Sequence, residues 1–261
     1  MIPLAQWKSH FIARNDVKLH YLRRGLGQPA ILLHGFSDNG ACWGRTAHAL
    51  AETFDVVALD LRAHGLSDAP ETSYDLNTLI RDVMDVLTGL ELKNVLLLGH
   101  SLGASVALSL AARSKRIDKL VLIDAPLDVE LQDRSFAWLE QLQALSVEER
   151  LESRGAELRG WSPEEKQHWA EAKGQLRFSA WEKHALDFSL QWRDDLAKLT
   201  CQTLLVRGET SLGSLVTDSV AAELSSQLGE RDVALLPNTG HSPHREDFAG
   251  FADILKPFIA A

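Results

Sequence analysis

The stretch VLLLGHSLGASVAL (95–108) places a serine, Ser101, between glycines two residues to either side, Gly99 and Gly103. An apolar strand-like run enters this turn and a helix of small residues leaves it. So tight a turn strains the serine backbone, and the glycines remove Cβ atoms that would collide. The strain lifts the hydroxyl clear of a sheet and toward a helix N-terminus. Attack on a carbonyl is the chemistry such a group can do, once a base takes its proton. Among ten histidines, His241 and His244 in NTGHSPHRED (238–247) are the best placed for that, following Gly240 at the end of a late strand. The oxyanion formed by such an attack needs two preorganised donors. The N–H of Leu102, free at the start of a helix, can supply one.

These residues need a frame that brings distant segments together. Short apolar runs alternate with helical patterns, which argues for a parallel sheet with crossover helices. Strands are predicted at 30–35, 55–60, 94–100, 119–124, 202–208 and 232–238, and helices at 75–89, 102–114, 218–228 and 245–259. The segment SHFIARNDVKLHYLRRG reads as an antiparallel pair turning at Asn15-Asp16. Thr217 is placed as an N-cap, and Gly229 as a helix stop. Residues 127–198 break the alternation: they hold no strand-like run. Capping boxes at Ser146/Glu149, Ser162/Glu165 and Ser179/Glu182 predict short helices there, the second with Pro163 at its first position. A helical lid over 127–198 is therefore expected, inserted in a core made of 1–126 and 199–261. Five of the seven tryptophans fall in the insert: Trp138, Trp161, Trp169, Trp181 and Trp192. Most should pack the insert onto the core, and one or two should wall an apolar pocket.

Bulk properties narrow the function. The 261 residues carry a formal charge of −9, with no basic stripe, so a nucleic-acid partner is not expected. No apolar run is long enough for a bilayer span, and MIPLAQWKSH lacks the pattern of a signal peptide; a cytoplasmic protein is the expectation. Cys42 and Cys201 read as two thiols, and no Cys/His cluster has zinc spacing.

The chain resembles the α/β-hydrolase family over essentially its whole length. LLHGFSDNGACW is similar to that family's oxyanion loop, VVALDLRAHGLSDAP to its next strand and turn (with Ala63 where glycine is usual), and NTGHSPHRED to its catalytic-histidine loop. The resemblance implies a mostly parallel eight-stranded sheet flanked by helices. It implies His241 as the base, Phe36 N–H as the second oxyanion donor, and structural roles for His34 and His100. His244 is then a surface or supporting group, and His64 and His20 plain polar residues. The family's acid usually follows the strand at 202–208, in a Gly-x-x-Asp position. That position here holds Ser211, which carries no charge at neutral pH. Asp124, ending the strand at 119–124, is the first candidate to replace it; Glu209 and Asp218 are the others.

The reaction implied is hydrolysis of small, largely apolar carboxylic esters through an acyl-enzyme at Ser101, with no metal or organic cofactor, in a monomer or homodimer. A cofactor-free lyase or peroxidase-like enzyme and a non-catalytic ligand-binding protein are the alternatives. Lyase members of the family need a lid lysine near the serine, and nothing in the sequence aims Lys166, Lys173 or Lys183 inward.

Overall fold

The computed structural model describes residues 6–128, 136–155, 158–184, 190–229 and 232–260. Eight strands form one sheet: β1 (Lys8–Arg14), β2 (Val17–Arg24), β3 (Gln28–Leu33), β4 (Phe54–Leu59), β5 (Val95–His100), β6 (Ile117–Ile123), β7 (Gln202–Arg207) and β8 (Val233–Leu235). Their order is β1-β2-β4-β3-β5-β6-β7-β8. β1 and β2 are the antiparallel hairpin, β2 runs antiparallel to β4, and the remaining pairs are parallel.

The central strands are apolar on both faces because both are covered. Ile31, Leu33, Val57, Leu59, Leu97, Leu120 and Leu122 face one core. Their alternates Ala30, Leu32, Val56, Ala58, Leu98, Val121 and Ile123 face the other. The core helices are α1 (Gly44–Leu50), α2 (Leu76–Gly89), α3 (Leu102–Ala111), α9 (Asp218–Leu228), α10 (Pro243–Glu246) and α11 (Phe248–Ala260). Every residue of α3 is buried, as its run of small residues permits.

Between β6 and β7 the described residues form only helices: α4 (Ala137–Gln143), α5 (Val147–Arg154), α6 (Pro163–Gln175), α7 (Phe178–His184) and α8 (Trp192–Leu196). Reciprocal capping boxes form at Ser146/Glu149 and at Ser162/Glu165. The third does not: Ser179 lies inside α7, which begins one residue earlier. Arg150 is buried and ties three helices together, donating to the carbonyls of Leu142 (2.7 Å), Gln143 (3.2 Å) and Ala170 (2.8 Å).

Two further expectations need adjusting. The strand predicted over 232–238 covers only Val233–Leu235. The helix predicted over 245–259 is two helices parted at Asp247, whose carboxylate accepts from Gly250 N at 3.0 Å and so caps α11. No helix among the described residues is long and apolar enough to cross a membrane. Cys42 and Cys201 are free thiols.

Candidate active site

β4 lies on one side of β3 and β5 on the other, so the strand order reverses at the C-terminal ends of β3 and β5. Open α/β sheets leave a crevice at that point. The loop after β3 and the turn after β5 both enter it. Ser101 sits in the turn with φ 52° and ψ −119°, the strained conformation its glycine neighbours predicted. A Cβ on Gly99 would come within 2.3 Å of the Gly103 carbonyl oxygen, and one on Gly103 within 2.1 Å of that of Leu33. Both positions therefore exclude a side chain. A Cβ on Gly35 would meet His100 Nδ1 at 2.9 Å, so glycine there lets the loop after β3 close onto the serine turn.

β6 is the parallel neighbour of β5, with Ile123 opposite His100, and Ser101 N donates to Ile123 O at 3.0 Å. Asp124 thus emerges one strand away from Ser101. Its carboxylate is fully buried and held from three directions. Ser214 Oγ donates to Oδ1, Leu215 N donates to Oδ2 at 2.9 Å, and His241 Nδ1 lies 2.6 Å from Oδ2. A carboxylate accepts, so the His241 proton resides on Nδ1 and leaves the Nε2 lone pair free. Nε2 lies 3.1 Å from Ser101 Oγ.

The other two carboxylates are employed elsewhere. Glu209 accepts from Asn238 N at 2.8 Å and from Ser211 Oγ at 3.4 Å, joining two loops. Asp218, in the first turn of α9, pairs with Arg207 at 2.6 Å. The loop after β7 therefore brings two donors, Ser214 and Leu215, to a carboxylate from β6. Both oxygens of Glu246 clamp the loop around His241, accepting from Gly240 N (2.7 Å) and Ser242 N (2.8 Å). His100 Nε2 donates to His241 O at 2.8 Å. Burial holds the His100 imidazole well below its ordinary pKa, so it remains neutral.

The loop 34–38 is fixed by two more buried, neutral histidines, both lowered by burial. His34 Nε2 accepts from Leu61 N (3.0 Å), so its Nδ1–H donates to Gly35 O (2.8 Å). His64 Nε2 accepts from Ser37 N (3.4 Å) and its Nδ1 donates to Arg62 O (2.8 Å). His64 is thus part of the loop's support and His20 a partner of Asp60 (2.8 Å), neither of them a plain polar residue. His244 is fully buried against Trp43 and His100, away from the surface. Phe36, whose N–H the resemblance assigns to the oxyanion, lies within the loop after β3, and Leu102, the other expected donor, begins α3.

A cavity of about 510 Å³ opens over Ser101 and His241. Trp138, Trp161 and Trp169 of the insert line it with Phe136 and Leu142. Trp181 instead packs on Phe36, His64 and Tyr74, and Trp192 donates to Asp128 at 2.7 Å. Lys173, one of the three insert lysines that the sequence does not aim inward, also lines the cavity, as do Arg245 and Asp38, to which the sequence assigns no role. Lys173 Nζ reaches Asp38 Oδ1 at 2.7 Å and Ser37 O at 3.0 Å, and Arg245 donates to Asp38 Oδ2 at 2.7 Å. Lys166 does not line this cavity, and the Lys183 side chain lies outside the described residues. The inward turn of Lys173 has one sequence signal: it falls on the same face of α6 as Trp169, four residues earlier.

Known proteins resemble this one. A family model described as "Alpha/beta hydrolase family" matches residues 30–254. A soluble epoxide hydrolase of Corynebacterium sp. is 36% identical over 111 residues, 42% of this chain and 39% of that protein. A putative non-heme chloroperoxidase of Synechocystis sp. is 25% identical over 246 residues, covering 87% of this chain and 89% of that one. Relatives matching at 36% identity are spanned over only 30–44% of their own length. The solved structure of an E-2-(acetamidomethylene)succinate hydrolase superposes with a TM-score of 0.83 at 23% identity, over 98% of this chain and 100% of that one.

Proposed function

This chain belongs to the alpha/beta hydrolase family, and within it we propose a serine hydrolase that cleaves carboxylic esters of small substrates through an acyl-enzyme at Ser101. The single observation behind this reading is His241, which bridges Ser101 Oγ at 3.1 Å and Asp124 Oδ2 at 2.6 Å. In the proposed reaction Ser101 Oγ attacks the ester carbonyl carbon while His241 Nε2 takes its proton. Asp124 holds the tautomer and stabilises the imidazolium. The carbonyl electron pair moves onto oxygen, where the N–H groups of Phe36 and Leu102 receive it. Its return expels the alkoxide, which takes the proton from His241. Water then repeats the sequence on the acyl-enzyme and releases the acid. In this reading residues 127–198 are the lid, over a core of 1–126 and 199–261, and its tryptophans hold the apolar part of the substrate.

The test is kcat/KM on a short-chain p-nitrophenyl ester for folded wild type, Ser101→Ala and Asp124→Asn. Turnover that vanishes with Ser101→Ala and falls by up to roughly 10⁴-fold with Asp124→Asn is the expected result. Near-normal turnover by Asp124→Asn would remove it as the acid. A wild type that hydrolyses no ester would overturn the reading in favour of a binding protein or a lyase. One observation favours the lyase as second reading: an insert lysine, Lys173, lines the same cavity as Ser101.

A further inference from the structure

Two cations and one carboxylate are buried together in the wall of the cavity. Lys173 and Arg245 are 2% and 1% exposed, and both hold Asp38, one on each oxygen. Burial alone would raise the Asp38 carboxyl. Arg245 and Lys173 outweigh it, so the group stays ionised far into acid. The cluster therefore carries one net positive charge.

Among the described residues nothing cancels that charge. Glu165, the other buried carboxylate nearby, pairs with Arg45 at 2.7 Å. Asp124 is taken up by His241, Ser214 and Leu215. Trp169 lies under Lys173 at 5.0 Å and Trp161 under Arg245 at 4.6 Å, which eases the burial but supplies no counter-charge. The carbonyl end of α6, where Lys173 sits, offsets about half a charge at most. Arg245 Nε is buried with no hydrogen-bond partner among the described residues. A buried charge and a buried donor both cost stability unless something pairs with them. Both residues line the space that opens onto Ser101, so an anion entering that space can do so.

From this cluster we infer that Lys173 and Arg245 form the seat of a substrate carboxylate, so that the ester cleaved at Ser101 carries an anionic group. The inference rests on the hydrolase reading above. It amends the expectation of a largely apolar substrate: the tryptophans line the walls and the cation pair takes the charged end. The seat adjoins the loop of Phe36, since Lys173 is bonded to Ser37 and Asp38 on that loop. The carboxylate and the reacting carbonyl are therefore read by one rigid segment.

The experiment compares kcat/KM for monoethyl glutarate with that for ethyl 5-methylhexanoate, in which an isopropyl group replaces the carboxylate. Wild type should prefer the anionic ester by about tenfold or more, a site built to pair a polar group discriminating strongly against a substrate lacking it. Lys173→Met should lower that ratio by about tenfold, and taking the ratio removes any general loss of activity. Equal rates or a preference for the neutral ester in wild type would overturn the inference, as would an undiminished ratio in Lys173→Met. Should that variant not fold, the wild-type ratio and its decline with added salt decide alone. If neither ester is turned over, the hydrolase reading fails separately and thermal unfolding with glutarate decides the anion seat. A rise in Tm with glutarate but not with diethyl glutarate supports the seat, and no rise overturns it.

Discussion

Asp124 is a residue whose neighbours decide what it can do. Its carboxylate is buried, and Ser214, Leu215 and His241 all donate to it. A hydrogen bond to a charged group contributes about 1.5–3 kcal/mol. Ser214→Ala should therefore lower ester kcat/KM by roughly tenfold, mostly in kcat, because it loosens the hold on Asp124 and hence on His241. Steady-state kinetics checks this; unchanged kcat would mean that Leu215 N suffices. Ala63 is a second instructive residue, since it occupies a left-handed backbone with φ 64° where the family resemblance has glycine. That conformation costs an L-residue about 1–2 kcal/mol. Glycine would relieve it but lose a buried methyl, about 0.8 kcal/mol, and gain about 0.4–1 kcal/mol of unfolded-chain freedom. Ala63→Gly should thus change stability by less than about 1 kcal/mol in urea unfolding.

At the scale of elements, one buried arginine joins three helices of the insert. Arg150 joins the end of α4 to α6 through three carbonyls and has no carboxylate among those partners. Burial lowers its pKa, and these carbonyl dipoles offset part of the cost of removing its guanidinium from water. Arg150→Met should destabilise the packing of α4, α5 and α6 by about 2–3 kcal/mol, since two or three carbonyls lose their donor. Hydrogen exchange should then quicken across these helices while β3, β5 and β6 keep their protection. Uniformly faster exchange would show instead that insert and core unfold as one unit.

At the scale of the whole molecule, four buried histidines are held neutral. Burial holds His64, His100 and His244 well below the ordinary 6.5, and His34 below it. Below pH 6.5 the unfolded chain takes up protons that the folded one refuses, so stability is complete above that pH and falls as the pH drops toward the folded values. Each of the three strongly shifted residues should cost about 1 kcal/mol between pH 6.5 and 5.5. Urea midpoints at pH 7.5 and 5.5 measure this, and a flat profile would contradict it. Asp38 has the same sign of effect from its depressed carboxyl, but its contribution is lost only in stronger acid.

Local order was legible in the sequence wherever one segment decided the outcome. Although Gly103 is held small by Leu33 of the neighbouring strand β3, Gly99 excludes a side chain through a contact inside the strand–turn–helix unit, with the Gly103 carbonyl, so that part of the turn follows from five residues. The same holds for the capping boxes at Ser146 and Ser162, closed by a residue three positions on. Two-sided burial shows as apolar runs without alternation, which is why the central strands were visible and the three-residue β8 was overrun. The choice among Asp124, Glu209 and Asp218 was not legible, because it turns on distances to His241 that the pairing of β6 with β5 and β7 sets. Lys173, Asp38 and Arg245 come from an insert helix, the loop after β3 and the short helix α10, up to 207 positions apart. No local pattern marks three charged residues as a buried cluster; only the packing of the insert onto the sheet withdraws them from water and aims them at one cavity.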